Sequence, residues 1–329
     1  MRFLVPCGGL VLTGGLLRFE RTGRILRRWG HELAFATPGD GAARWTSTLP
    51  VLPLDAARTM AWDAVMVPGG GHPDTLIAAL AGLRGPGFGL RVQHFLNGPP
   101  RKPAYQRVTE AFDPDLIVIN NQHWTATDLE AFPGRPVARL IGAVDSAAFA
   151  PPTRRARRPG RRRLGAIANK NPQALLDALD RLGAGWELHW FGRPDLRILA
   201  EHADRVAEGR LVPRGVLLDG ALAAYYHDID VFCSAEPHAG WCNPAAEAMA
   251  SGTPLVTSRH GTLAFAQHEA TALVLEAPTG AAIAEAVLRL DRDPDLADHL
   301  AERGRAAIRD LTWEAYAAAL LRLVGAAAG

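Results

Sequence analysis

Residues 230–254 carry the residue types and spacing that most favour chemistry. An apolar run ends at Cys233, a loop with glycine and proline follows, and Asn243-Pro244 opens a helical pattern. Asparagine is a favoured N-cap, and proline at the first helical position lacks only an amide that the helix leaves unbonded. Free backbone N–H groups at such a helix start could hold a diphosphate, whose charge suits the positive end of the helix dipole. Glu247, one turn in, could accept hydrogen bonds from sugar hydroxyls, although a plain strand–loop–helix explains the segment equally well.

The sequence of residues 247–254, EAMASGTP, resembles the donor-binding motif of the family-four retaining glycosyltransferases, which are also called glycosyl transferases group 1. In that family a Glu-x7-Glu stretch ends in Glu-Ala-Met-Ala-x-Gly-x-Pro. The resemblance implies that Asn243 and Glu247 belong to the donor site and that Glu247 binds the nucleotide ribose. We expect the Glu247 carboxylate to face a cleft and to pack against little.

The first glutamate of the motif is less easily placed. Eight positions before Glu247 stands Ala239, whereas Glu236-Pro237 resembles the family's Glu-Pro-Phe-Gly variant with about three extra residues before the second glutamate. Either Glu236 reaches the donor sugar through a longer loop, or that contact is missing. We favour the longer loop, so the resemblance implies that Glu236 is a catalytic residue.

Further segments agree with the resemblance and span nearly the whole chain. Gly14-Gly15, a helical pattern and then GHE at residues 30–32 are similar to the family's opening, which implies that both glycines approach the donor. Residues 141–151 resemble its inter-domain signature, and residues 304–314 resemble its terminal helices. The last of those helices often crosses back to the first domain.

The family holds the donor diphosphate with a basic pair, typically Arg then Lys, after the first strand of the second domain. Lys170 stands at the second of these positions, but Ala166 or a neighbour occupies the first, and Arg193 is a candidate for the missing charge. Gly261 and Thr262 lie in the family's glycine loop, whose backbone amides face the phosphates. An exposed surface lysine is the alternative interpretation of Lys170.

His94 ends an apolar strand pattern at residues 90–94. Ligands of open α/β sheets bind beyond the carboxyl ends of strands, and the family often places a histidine there, near the donor sugar. The resemblance therefore implies a catalytic role for His94, while a polar loop histidine is an equal alternative.

Asp-x-Asp triplets, which hold the metal of many transferases, occur at residues 113–115, 228–230 and 291–293. Each precedes a strand or starts a helix, rather than following a strand beside a donor. The charge that grows on a leaving diphosphate is then left to Lys170 and to helix N-termini. We predict a metal-independent enzyme without a cofactor. The family retains anomeric configuration, which we expect to occur by same-face return attack without a protein nucleophile.

Two other functions stay open. A sugar-nucleotide epimerase has the same two-domain architecture, and a non-catalytic nucleotide-sugar-binding protein would explain the missing glutamate and arginine. A glycosidase is disfavoured because no acid pair has a plausible setting, and a dehydrogenase because no Gly-x-Gly-x-x-Gly follows a strand. UDP- or GDP-linked sugars are the expected donors. The acceptor is expected to bind variable loops such as residues 97–102, whose sequence does not identify it.

The elements that must position these residues alternate apolar runs with amphipathic segments, as in parallel sheets with crossover helices. Strands are predicted at Arg2–Val5, Glu32–Ala36, Ala64–Val67, Leu90–His94 and Leu116–Ile119, and again at Leu164–Ala168, Glu187–Phe191, Ile229–Cys233, Pro254–Thr257 and Ala272–Leu275. Helices are predicted at Leu16–Trp29, Pro244–Ala250, Gly280–Leu290, Pro294–Arg309 and Trp313–Val324. Both halves are thus predicted to be Rossmann-like, doubly wound sheets. The resemblance implies the α/β GT-B fold, with the two domains facing a central cleft.

Prolines at 151–152 and the arginine run within Arg154–Arg163 indicate a solvated linker. We expect an acceptor-side domain at residues 1–150 and a donor-binding domain at residues 151–329, with the last helix, from about residue 313, packing back on the first domain. The arginine run could contact anionic membranes weakly, although an exposed hinge is the simpler interpretation.

Composition limits the remaining possibilities. The 329 residues suit two domains, and a formal net charge of +2 gives no preference for nucleic acid. Three scattered cysteines without a CxxC pair indicate a reducing compartment. No apolar run approaches the roughly 20 residues of a membrane span, and glycines and Pro6 interrupt the N-terminal one, which disfavours a signal peptide. We therefore predict a cytoplasmic protein without a transmembrane segment.

Overall fold

The computed structural model describes residues 1–10, 13–39, 45–68, 73–95, 103–120, 130, 132–151 and 160–328. The chain divides into two compact units, Met1–Gly142 with Trp313–Gly329, and Ala143–Thr312. We call them the N-terminal unit and the C-terminal unit. The sequence predicts the boundary at residue 150 and a last helix, from about residue 313, that packs on the first domain.

The N-terminal unit contains a parallel sheet. Its strands in the described residues are β1 (Arg2–Pro6), β2 (Glu32–Thr37), β3 (Val51–Pro53), β4 (Trp62–Pro68), β5 (Phe88–Phe95), β6 (Leu116–Ile119) and β7 (Val137–Arg139). They lie in the order β3-β2-β1-β4-β5-β6-β7, with every neighbouring pair parallel. Strand residues such as Phe3, Leu4 and Val5 are fully buried in succession. Such runs suit a parallel sheet, because crossover helices cover both of its faces.

Helices connect these strands. They are α1 (Gly14–Arg28), α2 (Leu54–Arg58), α3 (Pro73–Leu80) and α4 (Pro103–Phe112). The longest, α1, begins after Thr13, whose hydroxyl accepts a hydrogen bond from the Leu16 amide at 3.3 Å. It ends with Arg27 and Arg28 in the last turn, where positive charge is favoured by the helix dipole.

The C-terminal unit repeats this architecture. Its strands are β8 (Arg162–Ile167), β9 (Trp186–Phe191), β10 (Leu211–Gly215), β11 (Val231–Ser234), β12 (Leu255–Ser258) and β13 (Leu273–Leu275). They lie in the order β10-β9-β8-β11-β12-β13, again all parallel. The chain leaves β8 towards β9 on one side and β11 towards β12 on the other. The direction of winding therefore reverses between β8 and β11, as it does between β1 and β4, so both units are doubly wound as predicted.

Helices of the C-terminal unit cover both faces of its sheet. They are α5 (Pro172–Leu182), α6 (Leu196–Glu201), α7 (Ala203–Ala207), α8 (Asp219–Asp228), α9 (Asn243–Ala250), α10 (Gly280–Arg292) and α11 (Pro294–Ile308). One buried cluster joins Leu176 of α5, Trp190 of β9 and Val287 of α10. This core fixes the strand ends that carry the candidate site.

The last helix, α12 (Trp313–Ala328), completes the N-terminal unit by packing on α1 and β5. An ion pair of 2.5 Å joins Arg28 of α1 to Glu314. The Arg21 guanidinium lies 5.5 Å from the centre of the Trp313 ring. Within the described part of the chain, every helix is too short or too polar to cross a membrane.

Candidate functional site

Two ionisable residues meet where the C-terminal sheet reverses its direction of winding. Lys170 follows β8 and Glu236 follows β11, so they lie at the carboxyl edge of neighbouring strands. The Lys170 ammonium is 2.9 Å from one Glu236 carboxylate oxygen and 3.1 Å from the other. Ligands of open α/β sheets bind at this position. The structure thus brings together the lysine and the glutamate that the sequence singled out.

The Glu236 carboxylate is enclosed, whereas its partner reaches solvent. Glu236 is 6% exposed, and the Lys170 side chain is 36% exposed. The Ser258 hydroxyl at the end of β12 donates a 2.5 Å hydrogen bond to the Glu236 backbone carbonyl. Glu236 is therefore anchored at the sheet edge despite the longer loop that follows it.

The longer loop, residues 237–242, is tied to the loop after β12. The Cys242 amide donates a 3.0 Å hydrogen bond to the Gly261 carbonyl. Gly261 has a φ of +75°, and a Cβ there would lie 2.7 Å from the Cys242 nitrogen, so only glycine fits. The Thr262 hydroxyl donates to the Ser258 carbonyl at 2.8 Å. Gly261 thus joins the two loops, and Thr262 closes the turn after β12. The predicted contact of both residues with phosphate stays a prediction.

Helix α9 begins at Asn243, so the prediction that Asn243 caps it is wrong, because that residue already has helical geometry. Cys242 occupies the cap position and makes no side-chain hydrogen bond to the helix. Its thiol instead lies 3.1 Å from the Ser234 hydroxyl, and burial raises the pKa of that thiol to about 11. Pro244 is the second residue of the helix, one position later than predicted, and still lies in its first turn. The first-turn amides therefore receive no side-chain cap, which favours an anionic ligand.

A second helix start lies beside Lys170. Asn171 is the cap residue of α5 and has a left-handed φ of 52°, which asparagine tolerates better than most residues. Its side-chain amide donates a 3.0 Å hydrogen bond to the Pro278 carbonyl instead of capping α5. The N-terminus of α5 therefore adds a second set of helix amides close to the lysine.

Glu247 lies one turn into α9 and is 4% exposed. The Tyr226 hydroxyl of α8 donates a 3.1 Å hydrogen bond to its Oε2 atom. The prediction that this carboxylate packs against little is wrong, because α9 is a buried helix in which every residue from 245 to 250 is buried. Its contact with a ribose stays a prediction.

A buried core residue, Ala166, occupies the position at which the family has its phosphate-binding arginine. Ala166 is fully buried in β8, and its amide donates a 2.9 Å hydrogen bond to the Tyr225 hydroxyl. At Gly165, the preceding residue, a Cβ would lie 2.7 Å from the same hydroxyl. An arginine would not fit there. Arg193 follows β9 at the same sheet edge, is exposed, and is joined to no other described residue by a hydrogen bond or ion pair.

His94 is a core residue of the N-terminal unit, which corrects the prediction of a catalytic role. It is 0% exposed, and its Nε2 atom lies 2.7 Å from the Tyr316 hydroxyl of α12. The Phe19 ring of α1 packs edge-on against it at 5.6 Å. Burial, and then the charge of Arg18, holds the pKa of His94 well below its usual range. The reason is that α1 and α12 cover this face of β5.

The Asp-x-Asp triplets are used in the scaffold. The triplet at 113–115 pairs with Arg91, and the triplet at 228–230 pairs with arginines 162–163. Asp293 caps α11 by accepting a hydrogen bond from the Leu296 amide. Among the residues that the structure describes, no group of three or more His, Cys, Asp or Glu side chains is arranged to hold a metal ion.

The remaining predicted positions are the glycine pair at the start of α1, the loop at 97–102 and the arginine run. Gly14 and Gly15 form the first turn of α1, behind the Thr13 cap, and their contact with a donor stays a prediction. The loop at 97–102 and residues 154–159 of the arginine run lie outside the described residues.

Sequence reasoning missed Tyr226 and Ser258. A Tyr-Tyr pair near the end of a helix indicates a buried face, but it does not say which hydroxyl meets a carboxylate. Ser258 directly follows the predicted strand Pro254–Thr257, and only the fold shows that its hydroxyl lies beside the Glu236 backbone.

Known proteins share this sequence pattern and geometry. Residues 162–293, which include Lys170, Glu236 and Glu247, match the family model of glycosyl transferases group 1. The C-terminal unit therefore carries the group 1 sequence pattern, and the chain is a glycosyltransferase. This match supports the predicted family and confirms the predicted enzyme class, and it does not support the epimerase or the binding-protein alternative. No curated protein sequence matches the chain.

Solved structures extend the likeness of this glycosyltransferase to nearly its whole length. HepE of Anabaena, in complex with UDP and glucose, has a TM-score of 0.79 at 14% identity, covering 99% of this chain and 100% of that chain. Sucrose-phosphate synthase from Thermosynechococcus elongatus has a TM-score of 0.78 at 17% identity, covering 98% of each chain. A glycosyltransferase from Rickettsia africae ESF-5 has a TM-score of 0.77 at 12% identity, covering 99% of this chain and 98% of that chain. These similarities confirm the predicted GT-B fold.

Proposed function

We propose that this glycosyltransferase moves a sugar from a nucleotide-diphosphate sugar to an acceptor hydroxyl, with retention of configuration and without a metal ion. The observation that carries the proposal is the Lys170–Glu236 ion pair at the point of reversed winding, with two helix N-termini that no side chain caps. The match to the family model supports it. HepE, similar in fold, has been solved with UDP and with UDP-glucose, which makes UDP-sugars the first donors to test, ahead of GDP-sugars.

In the proposed complex, Lys170 and the starts of α5 and α9 hold the diphosphate. Fixed cations and backbone dipoles stabilise the charge that grows on the leaving group, as a metal would. The side chain of Lys170 is partly exposed already, so it can turn from the Glu236 carboxylate to a phosphate oxygen. Arg193 at the neighbouring strand end is the candidate for the second cation.

Glu236 then faces the donor sugar, and Glu247 receives the ribose hydroxyls. The anomeric C–O bond to the diphosphate breaks while the acceptor oxygen forms a bond to the same face of that carbon. The acceptor proton passes to the departing phosphate oxygen, so atoms and charge balance without a protein nucleophile. A cytoplasmic location and a weak contact of the arginine run with anionic membranes remain predictions.

The test uses purified protein with UDP- and GDP-sugars, first without an acceptor and with saturating EDTA. We expect slow release of the sugar and the nucleoside diphosphate, with the first-formed anomer matching the donor when it is read by proton NMR. Activity that EDTA abolishes and magnesium or manganese restores would refute metal independence. An inverted first anomer would refute retention, and an isomerised sugar nucleotide would identify an epimerase instead.

A further inference from the structure

The buried contact between Tyr226 and Glu247 lies behind the proposed ribose site. Tyr226 is in the last turns of α8, which precedes β11, and Glu247 is in α9, which follows it. The tyrosine hydroxyl donates to Glu247 Oε2 at 3.1 Å, and the two residues are 0% and 4% exposed. The contact therefore joins the helices on either side of β11, the strand that Glu236 follows.

The Tyr226 hydroxyl is held at a fixed position. Its ring packs edge-on against Phe149, Tyr225 and Phe232, with ring centres 5.8, 5.4 and 5.3 Å away. Its backbone carbonyl accepts a 2.9 Å hydrogen bond from the Thr253 hydroxyl. Tyrosine has few rotatable bonds, so a ring enclosed in this way leaves its hydroxyl little freedom. The hydroxyl can therefore fix the direction of a carboxylate that it contacts.

The Tyr226 hydroxyl also remains a hydrogen-bond donor at all working pH values. Burial, and then the negative charge of Glu247, raises the pKa of Tyr226 well above its usual range. The phenol stays protonated and acts as a donor to the carboxylate. Such a bond to a charged group is stronger than a bond between neutral groups.

We propose that Tyr226 is a positioning residue for nucleotide recognition, which orients the Glu247 carboxylate towards the ribose hydroxyls through their shared buried hydrogen bond. The inference rests on the proposed function of Glu247 as the ribose-binding residue. Tyr226 itself need not touch the nucleotide, because it acts by holding the group that does. Pre-organisation of this kind removes the cost of ordering the carboxylate when the ligand binds.

A purely structural role for Tyr226 makes a different prediction. If the ring only fills the core, loss of the hydroxyl should lower stability and weaken every nucleotide by the same factor. If the hydroxyl positions Glu247, the loss should fall on ligands that carry ribose hydroxyls. Tyr225 is a matched control, because it is also buried but its hydroxyl contacts the backbone of His189 and Ala166.

The experiment compares UDP with 2′,3′-dideoxy-UDP by calorimetry in the wild type, Tyr226→Phe and Tyr225→Phe. We expect Tyr226→Phe to weaken UDP binding about tenfold, the scale of one hydrogen bond to a charged group. Its affinity for the dideoxy ligand should equal that of the wild type. Tyr225→Phe should lose stability but keep the wild-type ratio of the two affinities. Urea midpoints for each variant show whether the fold is intact.

Each other outcome has a defined meaning. An equal loss for both ligands in Tyr226→Phe, or no loss for either, overturns the positioning role. If the wild type binds UDP and dideoxy-UDP equally well, the ribose assignment of Glu247 itself fails, which separates that failure from one of Tyr226. Should Tyr226→Phe not fold, Thr253→Val removes the hydrogen bond that anchors the Tyr226 backbone and leaves the Glu247 side chain unchanged. A selective loss of UDP affinity in that variant supports the positioning role, and an equal loss for both ligands overturns it.

Discussion

The two units share a doubly wound topology but place their ionisable side chains at different depths. In the C-terminal unit, Lys170 and Glu236 pair at the carboxyl edge of the sheet, and the lysine side chain reaches solvent. In the N-terminal unit, Arg18 and His94 lie inside, between α1, β5 and α12, and are 4% and 0% exposed. The same chain path therefore does not give the same chemistry, because the element that covers a strand decides whether its polar residues are reactive.

Helix α12 makes this difference in the N-terminal unit. It supplies Tyr316, whose hydroxyl contacts His94 and whose ring centre lies 5.5 Å from the Arg18 guanidinium. A buried histidine that is hydrogen-bonded and neutral stabilises one arrangement of the core. The pair at the C-terminal edge can instead exchange partners with a ligand, since Lys170 is already partly solvated.

The largest effect that the comparison predicts is at Glu236. We expect Glu236→Gln to lower turnover by about 10²-fold, the scale of one lost transition-state contact. Nucleotide affinity should change little, because the amide keeps the shape of the carboxylate. Steady-state kinetics with a UDP-sugar and calorimetry with UDP measure the two quantities. An unaltered turnover would leave Ala239 as evidence that the first glutamate contact is absent.

The next effect is on affinity. Lys170→Ala should weaken UDP binding by roughly 10- to 100-fold, because a hydrogen bond to a charged group contributes about 1.5–3 kcal/mol. The loss should be larger at low salt than at high salt, as expected for a charge contact that reaches solvent. Arg181→Ala is the control, since it removes an exposed cation from the far end of the same helix, α5. Equal losses in the two variants would show a general charge effect instead of a site.

Much of the fold follows from sequence patterns. All ten predicted strands exist within a few residues of their predicted bounds. Continuous apolar segments that alternate with helices are typical of a parallel sheet, whose strands are buried on both faces. The strands that the patterns do not predict are β3, β7 and β10, and each of them lies at an edge of its sheet in the described residues. Short edge strands are half exposed, so their sequences lack a continuous apolar run.

The candidate site is predictable in part. The resemblance to the family's motifs indicates Lys170 and Glu236, and the predicted strands before them prove to be neighbours in the sheet. The sequence does not fix the cap of α9, because an Asn-Pro pair fits a cap and a first turn equally well when one residue of register is unknown. The burial of His94 depends on α12, which is more than 200 residues away in sequence, as the separation of 222 residues from Tyr316 shows. Contacts between residues so far apart in the chain produce no periodic pattern in the sequence.

A smaller effect distinguishes two glycines with left-handed backbones. Gly261, at φ +75°, lies against the Cys242 backbone, whereas Gly30, at φ +80° after α1, has open space within 4 Å of the point that an alanine Cβ would occupy. Alanine should cost about 1–2 kcal/mol at either position from backbone conformation alone. Gly261→Ala should cost more and should weaken UDP binding about threefold to tenfold, because the loops that hold Glu236 must shift. Urea midpoints and calorimetry check both, and equal behaviour of the two variants would contradict the loop contact.

The smallest expected effect on nucleotide binding is at His94, where the fold rather than the site should respond. The pKa of His94 in the folded protein lies well below its ordinary value of 6.5. Below about pH 6.5 His94 is therefore protonated in the unfolded chain while it stays neutral in the folded chain. The stability of the N-terminal unit is then full above about pH 6.5 and is lost as the pH falls towards the folded pKa. In His94→Gln, whose amide can still meet Tyr316, the urea midpoint should fall less between pH 7.5 and pH 5.5 than it does in the wild type. The exposed His299→Gln serves as the control for loss of an imidazole. UDP affinity should stay within about twofold of the wild type, as for residues that share no partner. A large loss of affinity in folded His94→Gln would return this histidine to the donor site and break the contrast between the two units.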